Sequence, residues 1–262
     1  MRVALRVFWF GGLLSYRALF NWLTPWILIP TFLVAPIAQI LLFAYLGRAA
    51  GVGSDSFFLV GNAVMYCASP CIFAMGNTIG DERRQQTLSL LLATPARRLP
   101  LFVGRAMPVI VNGFLVSVFA LVVGGLVFDV RVPATTWGAL ALAITAGSYA
   151  CTGLGLLAAA IALWVRETSV LTNILFGLLL VFCGVNVPLD RMPPWMEAVA
   201  QVLPLTHAIA ASRAALAGAD VGAISGDLVR ELLLGTVYVV AGTAMLLWIE
   251  RQSRAKGSLD FG

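Results

Sequence analysis

The chain has 262 residues, 60% hydrophobic and 11% charged, with a mean hydropathy of +0.94. That is far too apolar for a soluble domain of this length, so the sequence predicts an all-α polytopic membrane protein. The net charge of +5 needs no nucleic-acid partner, because membrane topology accounts for where the basic residues fall.

Residues 1–24 precede the first long apolar run. At about 100° per residue, Arg2, Arg6, Arg17 and Asn21 gather on one arc and Leu5, Phe8, Gly12 and Leu19 lie opposite. This is the pattern of an amphipathic helix lying in the membrane interface, although Leu13, Leu14 and Phe20 fall between the two faces. No cleavable signal peptide is expected, since the first apolar run begins only near residue 26.

A transmembrane domain over 25–262 follows. Uncharged runs predict six spans, at about 26–47, 57–79, 106–128, 137–164, 168–187 and 232–249, each near the ~20 residues a helix needs to cross a bilayer. Pro30 and Pro36 in the first span and Pro70 in the second are each able to kink a helix or free a carbonyl, for structure or for gating. The fourth run starts before Trp137 and exceeds one span, so its first residues are placed at the interface. Its Gly147, Gly153, Gly155 and Ala158 to Ala160 predict close helix packing.

Between the second and third spans lies the densest charge in the chain, Gly80 to Arg105, with Asp81, Glu82, Arg83, Arg84, Arg97, Arg98 and Arg105. Leu88, Leu91 and Leu92 fall on one helical face and Pro95 ends the pattern, which predicts a short amphipathic helix over 82–95. With the N-terminus in the cytoplasm, 12 of the 17 basic residues lie inside, leaving Arg48, Arg131, Arg191, Arg213 and Arg230 outside. Both termini and the 82–95 helix are therefore expected in the cytoplasm. Arg166 and Glu167 form a very short inner turn between the fourth and fifth spans. On the outer side, 188–218 reads as two short apolar helices separated by Pro204, each too short to cross, and so as a re-entrant hairpin.

The chemistry follows from what the runs lack. Each of the six predicted spans is free of Asp, Glu, Lys, Arg and His, whereas self-powered carriers keep ionisable residues in the membrane. The only lysine is Lys256, after Ala255, so the chain has no phosphate-binding loop of its own. The sole histidine, His207, reads as a buried cap or interface residue, and Ser148 lacks the surroundings of a nucleophile elbow. Cys67, Cys71, Cys151 and Cys183 all fall in predicted spans and read as small packing residues, with no metal site expected. Polar and aromatic residues in the spans, Gln39, Asn62, Asn112, Asn173 and Asn186 with Tyr66, Phe176 and Phe182, read equally well as the lining of an amphipathic substrate's path or as helix-to-helix contacts.

These features together resemble the ABC-2 type permeases, the membrane subunits of bacterial ABC exporters, over essentially the whole chain. Glu82-Arg83-Arg84-Gln85-Gln86-Thr87-Leu88 is similar to the family's E-R-E-x-G-T-L opening of a coupling helix, and Leu91-Leu92-Ala93-Thr94-Pro95 continues it. Arg84 replaces the second acid and Gln86 the glycine. Gly104-Arg105 stands where the third span opens, and Pro204, Leu205, Thr206 and His207, followed by Arg213 and Ala214 to Gly218, are similar to the P-L-T and R-A-L-L-x-G pattern after span five.

The resemblance implies a permease of the bacterial cytoplasmic membrane in the drug, lipooligosaccharide or polysaccharide export branches. It implies pairing with a second permease chain, identical or related, and with two cytoplasmic ABC ATPase subunits that bind ATP and Mg. Glu82, Arg83, Arg84, Thr87, Leu88, Leu91, Leu92 and Pro95 would dock on the ATPase, with Arg166 and Glu167 as a second contact. Gln39, Tyr66, Asn173, Phe176, Phe182 and Asn186 are the candidate substrate path, and Pro204, Thr206, His207 and Arg213 the candidate hairpin residues. The alternative from another class is a polytopic membrane enzyme or an assembly scaffold that works without an ATPase.

Overall fold

The computed structural model describes residues 26, 29–51, 53–84, 98–165 and 168–256, and among these every regular element is helical. A π-helical stretch, Ile29–Val34, leads into α1, Ala35–Ala50. Pro36 sits in the first turn of α1, where a missing N–H costs nothing. A turn closed by the Arg48–Asp55 ion pair connects α1 to α2, Asp55–Met65, whose N-terminus is capped by Ser54 Oγ accepting from Phe57 N–H.

The second predicted span is not one helix. After α2 the chain makes a turn at Tyr66 and Cys67 and resumes as α3, Ala68–Arg84. Pro70 is the cause: it has no N–H to offer the Tyr66 carbonyl and its ring crowds that carbonyl. Ser69 N–H bonds to Tyr66 O at 3.3 Å instead, and Cys67 N–H to Val64 O at 3.0 Å.

The remaining helices are α4, Arg98–Val127; α5, Trp137–Val165; α6, Thr168–Phe182; α7, Pro194–Val202; α8, Thr206–Leu216; and α9, Val221–Lys256. Single 3-10 turns, Ala134–Thr136 and Leu189–Arg191, precede α5 and α7. Four stretches are long and apolar enough to cross a membrane, Asp55–Gly76, Ala106–Val127, Ala134–Ala162 and Val221–Ile249, and α1 and α6 are shorter apolar helices.

Three further boundaries differ from the sequence reading. The helix carrying the third span starts at Arg98, well before residue 106. The fifth span, predicted over 168–187, is helical only to Phe182; Gly184 takes φ +70° and residues 183–187 are irregular. At about 22 Å, α6 is shorter than the ~30 Å hydrocarbon core. The sixth span begins at Val221 rather than 232, so its helix includes Asp227, Arg230 and Glu231. The run 232–249 is itself uncharged, but the helix that carries it holds a fully buried carboxylate, Glu231, immediately before that run. Predicted features at 1–24, 85–95 and 166–167 lie outside the described residues.

α5 is the centre of the bundle. A Cβ on its Gly153 would lie 2.7 Å from Gly235 O of α9, and one on Gly155 would lie 2.7 Å from Cys71 O of α3. Backbones this close leave no room for side chains, which is how small residues bring helices together in an apolar solvent. The core around this crossing holds Leu59, Met65, Ile72, Met75, Leu121, Leu140 and Ile144, all buried.

Candidate functional site

Gln39, Asn62 and Asn186 join into one polar chain. Gln39 Nε2 donates to Asn62 Oδ1 at 2.9 Å, and Asn62 Nδ2 donates to Asn186 Oδ1 at 2.8 Å and to Phe58 O at 3.0 Å. Both amide hydrogens of Asn62 are used, and its side chain is fully buried. The chain ties α1, α2 and the irregular segment after α6 together through the buried Asn62, with Gln39 and Asn186 half-buried at its two ends.

One turn further along α2, Tyr66 meets Phe176 edge-on at 6.3 Å, and Phe73 of α3 meets the same ring at 5.9 Å. Of the six residues expected on a substrate path, Gln39 and Asn186 therefore sit on the polar chain, and Tyr66 and Phe176 in the aromatic cluster. Asn173 does not join them, since its exposed amide donates to Ser169 O of its own helix at 2.7 Å. Phe182 packs edge-on against Trp195 at 6.0 Å, pinning the end of α6 to α7.

The hairpin residues are held from three sides. Pro204 and Thr206 are buried, and Thr206 Oγ1 donates to Ala200 O at 2.6 Å, closing the turn between α7 and α8. Leu205, at φ 79°, occupies the N-cap position of α8 and has no capping side chain. Glu231 supplies the cap from α9: its carboxylate accepts from Leu205 N–H at 2.6 Å and from Ala208 N–H at 3.1 Å. His207 is buried with Nδ1 3.6 Å from Asp227 Oδ1, and Tyr238 OH donates to Val202 O at 2.8 Å. Asp227, Glu231 and Tyr238 recur at helical spacing, so a single stripe of α9 grips the hairpin.

Arg213 works on the opposite face of α8. It donates to Gly184 O and Val185 O at 2.8 Å each and to Phe57 O at 3.2 Å, and its guanidinium lies 3.5 Å from the Phe57 ring centroid. These bonds satisfy the carbonyls freed where α6 unwinds, which explains how that irregular backbone survives inside the bundle. Burial lowers the guanidinium to about 9, which leaves it charged at neutral pH.

Sequence reasoning missed Asn62 as the middle of the polar chain and Glu231 altogether. The signal for Glu231 was its place four residues after Asp227 on a continuous helical run, opposite a turn without a capping residue of its own. All four cysteines are buried free thiols, and among the described residues no group of three or more His, Cys, Asp or Glu is disposed to hold a metal ion.

Of the residues expected to dock on an ATPase, Glu82, Arg83 and Arg84 form the last turn of α3, which runs without a break from the core of the bundle. Thr87, Leu88, Leu91, Leu92, Pro95, Arg166 and Glu167 lie outside the described residues.

No individual curated protein matches this chain. The family described as ABC-2 type transporter matches residues 12–217, a stretch that takes in the polar chain, the aromatic cluster and the hairpin. With its apolar spanning helices and that match, the chain is an integral membrane protein that belongs to the ABC-2 type transporter family.

Proposed function

We propose that the chain is the permease subunit of an ATP-driven exporter that moves a hydrophobic or amphipathic substrate, such as a drug, a lipid or a lipid-linked glycan, out of the cytoplasm or the inner leaflet. Family membership implies partnership with an ABC ATPase. In this reading two ATPase subunits bind ATP and Mg, a second permease chain completes the pore, and both termini face the cytoplasm of a bacterial inner membrane. The domain divides into the interfacial helix at 1–24, the coupling helix at 82–95, six spans and the re-entrant hairpin at 188–218. Substrate moves past Gln39, Tyr66, Phe176 and Asn186, between spans one, two and five of the paired chains.

The observation that carries this reading is the unbroken run of α3 from the bundle core to Glu82, Arg83 and Arg84. A helix is stiff along its axis, so force applied beside Arg84 reaches Cys71 and Ile72, which pack against α5. Leu91→Asp places a charge on the apolar face of the coupling helix. The mutant is expected to insert in the membrane normally and to lose the ATPase on affinity purification; full co-purification would overturn the coupling assignment.

A further inference from the structure

At the end of the bundle away from Arg84, a cavity of about 350 Å³ lies between the start of α2 and the end of α8, lined by Ser54, Ser56, Phe57, Val60, Arg213 and Leu216 among others. Its size is at the lower end of the ~300–1,000 Å³ of small-molecule pockets. Its charge is one-sided. Among the described residues, no carboxylate lies within ion-pair distance of Arg213, and the nearby Asp55 is already neutralised by Arg48. Arg213 has five N–H donors, of which three bonds to carbonyls are accounted for; Nε is hidden from solvent with no partner.

The hydroxyls beside it are arranged to donate. Ser54 Oγ and Ser56 Oγ lie 2.9 Å apart, and Ser54 Oγ also accepts from Phe57 N–H. One hydroxyl donates to the other, which leaves one O–H for a ligand. The first turn of α2 adds the positive end of a helix dipole. The rest of the wall is apolar: Val60, Val130, Leu216 and Ala217.

We propose that this cavity binds the headgroup of an anionic phospholipid, with the phosphate at Arg213 and the serine hydroxyls and the acyl chains left in the bilayer. A cation buried without a counter-charge is stabilised by an anion that brings its own apolar body to the same depth. A zwitterionic headgroup carries a compensating cation for which the cavity lining has no carboxylate. The inference stands on this geometry alone and holds whether or not an ATPase associates with the chain.

The test is native mass spectrometry of the purified full chain in a neutral detergent, with added phosphatidylglycerol, phosphatidylcholine or inorganic phosphate. Phosphatidylglycerol is expected to be retained as a single adduct about tenfold better than phosphatidylcholine, as one charge-assisted contact allows. Ala217→Trp fills the mouth from an exposed position and leaves every bond of Arg213 in place; it is expected to erase that preference. Equal retention of the two lipids, a preference that survives Ala217→Trp, or displacement of the lipid by inorganic phosphate at the same concentration would each overturn the proposal.

Discussion

Glu231 carries an unusual burden for one side chain. The N-terminus of α8 begins at a residue with φ 79° and no side-chain cap, and the carboxylate that satisfies it comes from 26 residues further on. Glu231→Leu leaves the Leu205 and Ala208 N–H groups buried without acceptors, at about 1–3 kcal/mol each. Glu231→Gln keeps one carbonyl acceptor and is expected to lose less. Thermal denaturation of the purified variants in one detergent measures both, and a Glu231→Leu protein as stable as the parent would refute the capping role. At this scale the sequence shows polarity but not pairing. Gln39 and Asn186 stand out in the sequence as amides within apolar runs, whereas the fact that Asn62 links them depends on contacts 23 and 124 residues apart. Glu231 is hidden for the opposite reason: a carboxylate beside an apolar run ordinarily marks the end of the membrane, and only the bare turn at Leu205 gives it a use inside.

Elements were more legible than residues where the apolar runs are long and less so where tertiary bonds replace helical ones. The all-helical class and the Gly- and Ala-rich character of α5 follow from composition and spacing alone. The early end of α6 does not, because Val185, Asn186 and Val187 continue an apolar run, and the carbonyls that leave the helix there are satisfied by Arg213 from a distant element. The break between α2 and α3 was half visible: Pro70 marks the region, but the turn falls at Tyr66 and Cys67, one helical turn earlier, where the lost bond would have ended. The contact of α5 with α9 belongs to this scale too. A Cβ on Gly235 would stand 2.8 Å from Ala150 Cα, so Gly235→Leu must push the two helices apart. The variant is expected to lose most of its folded yield, read as the monodisperse peak in gel filtration, whereas Gly222→Leu, at a position with open space around it, is expected to fold as the parent does.

For the whole molecule, α9 is the longest feature, 36 residues in one helix and the least enclosed of the four apolar stretches. It holds the hairpin at one end and reaches Lys256 at the other. Spin labels at Gly222 and Gln252 are expected to stay about 45 Å apart, the length of 30 helical residues, in the resting protein and during ATP turnover with its ATPase; a change of more than a few ångströms would show that α9 bends. The turn at Tyr66 and Cys67 gives the span built from α2 and α3 the opposite character. Above it, α2 is fastened by Asn62 and by the Arg213 contact with Phe57 O; below it, α3 continues to the charged block. That span is jointed like an elbow, its upper arm held by side-chain bonds and its lower arm by the close backbone packing of Cys71 on Gly155 of α5. A displacement entering beside Arg84 would then divide between the α3–α5 contact and the joint beside the Tyr66 and Phe176 rings.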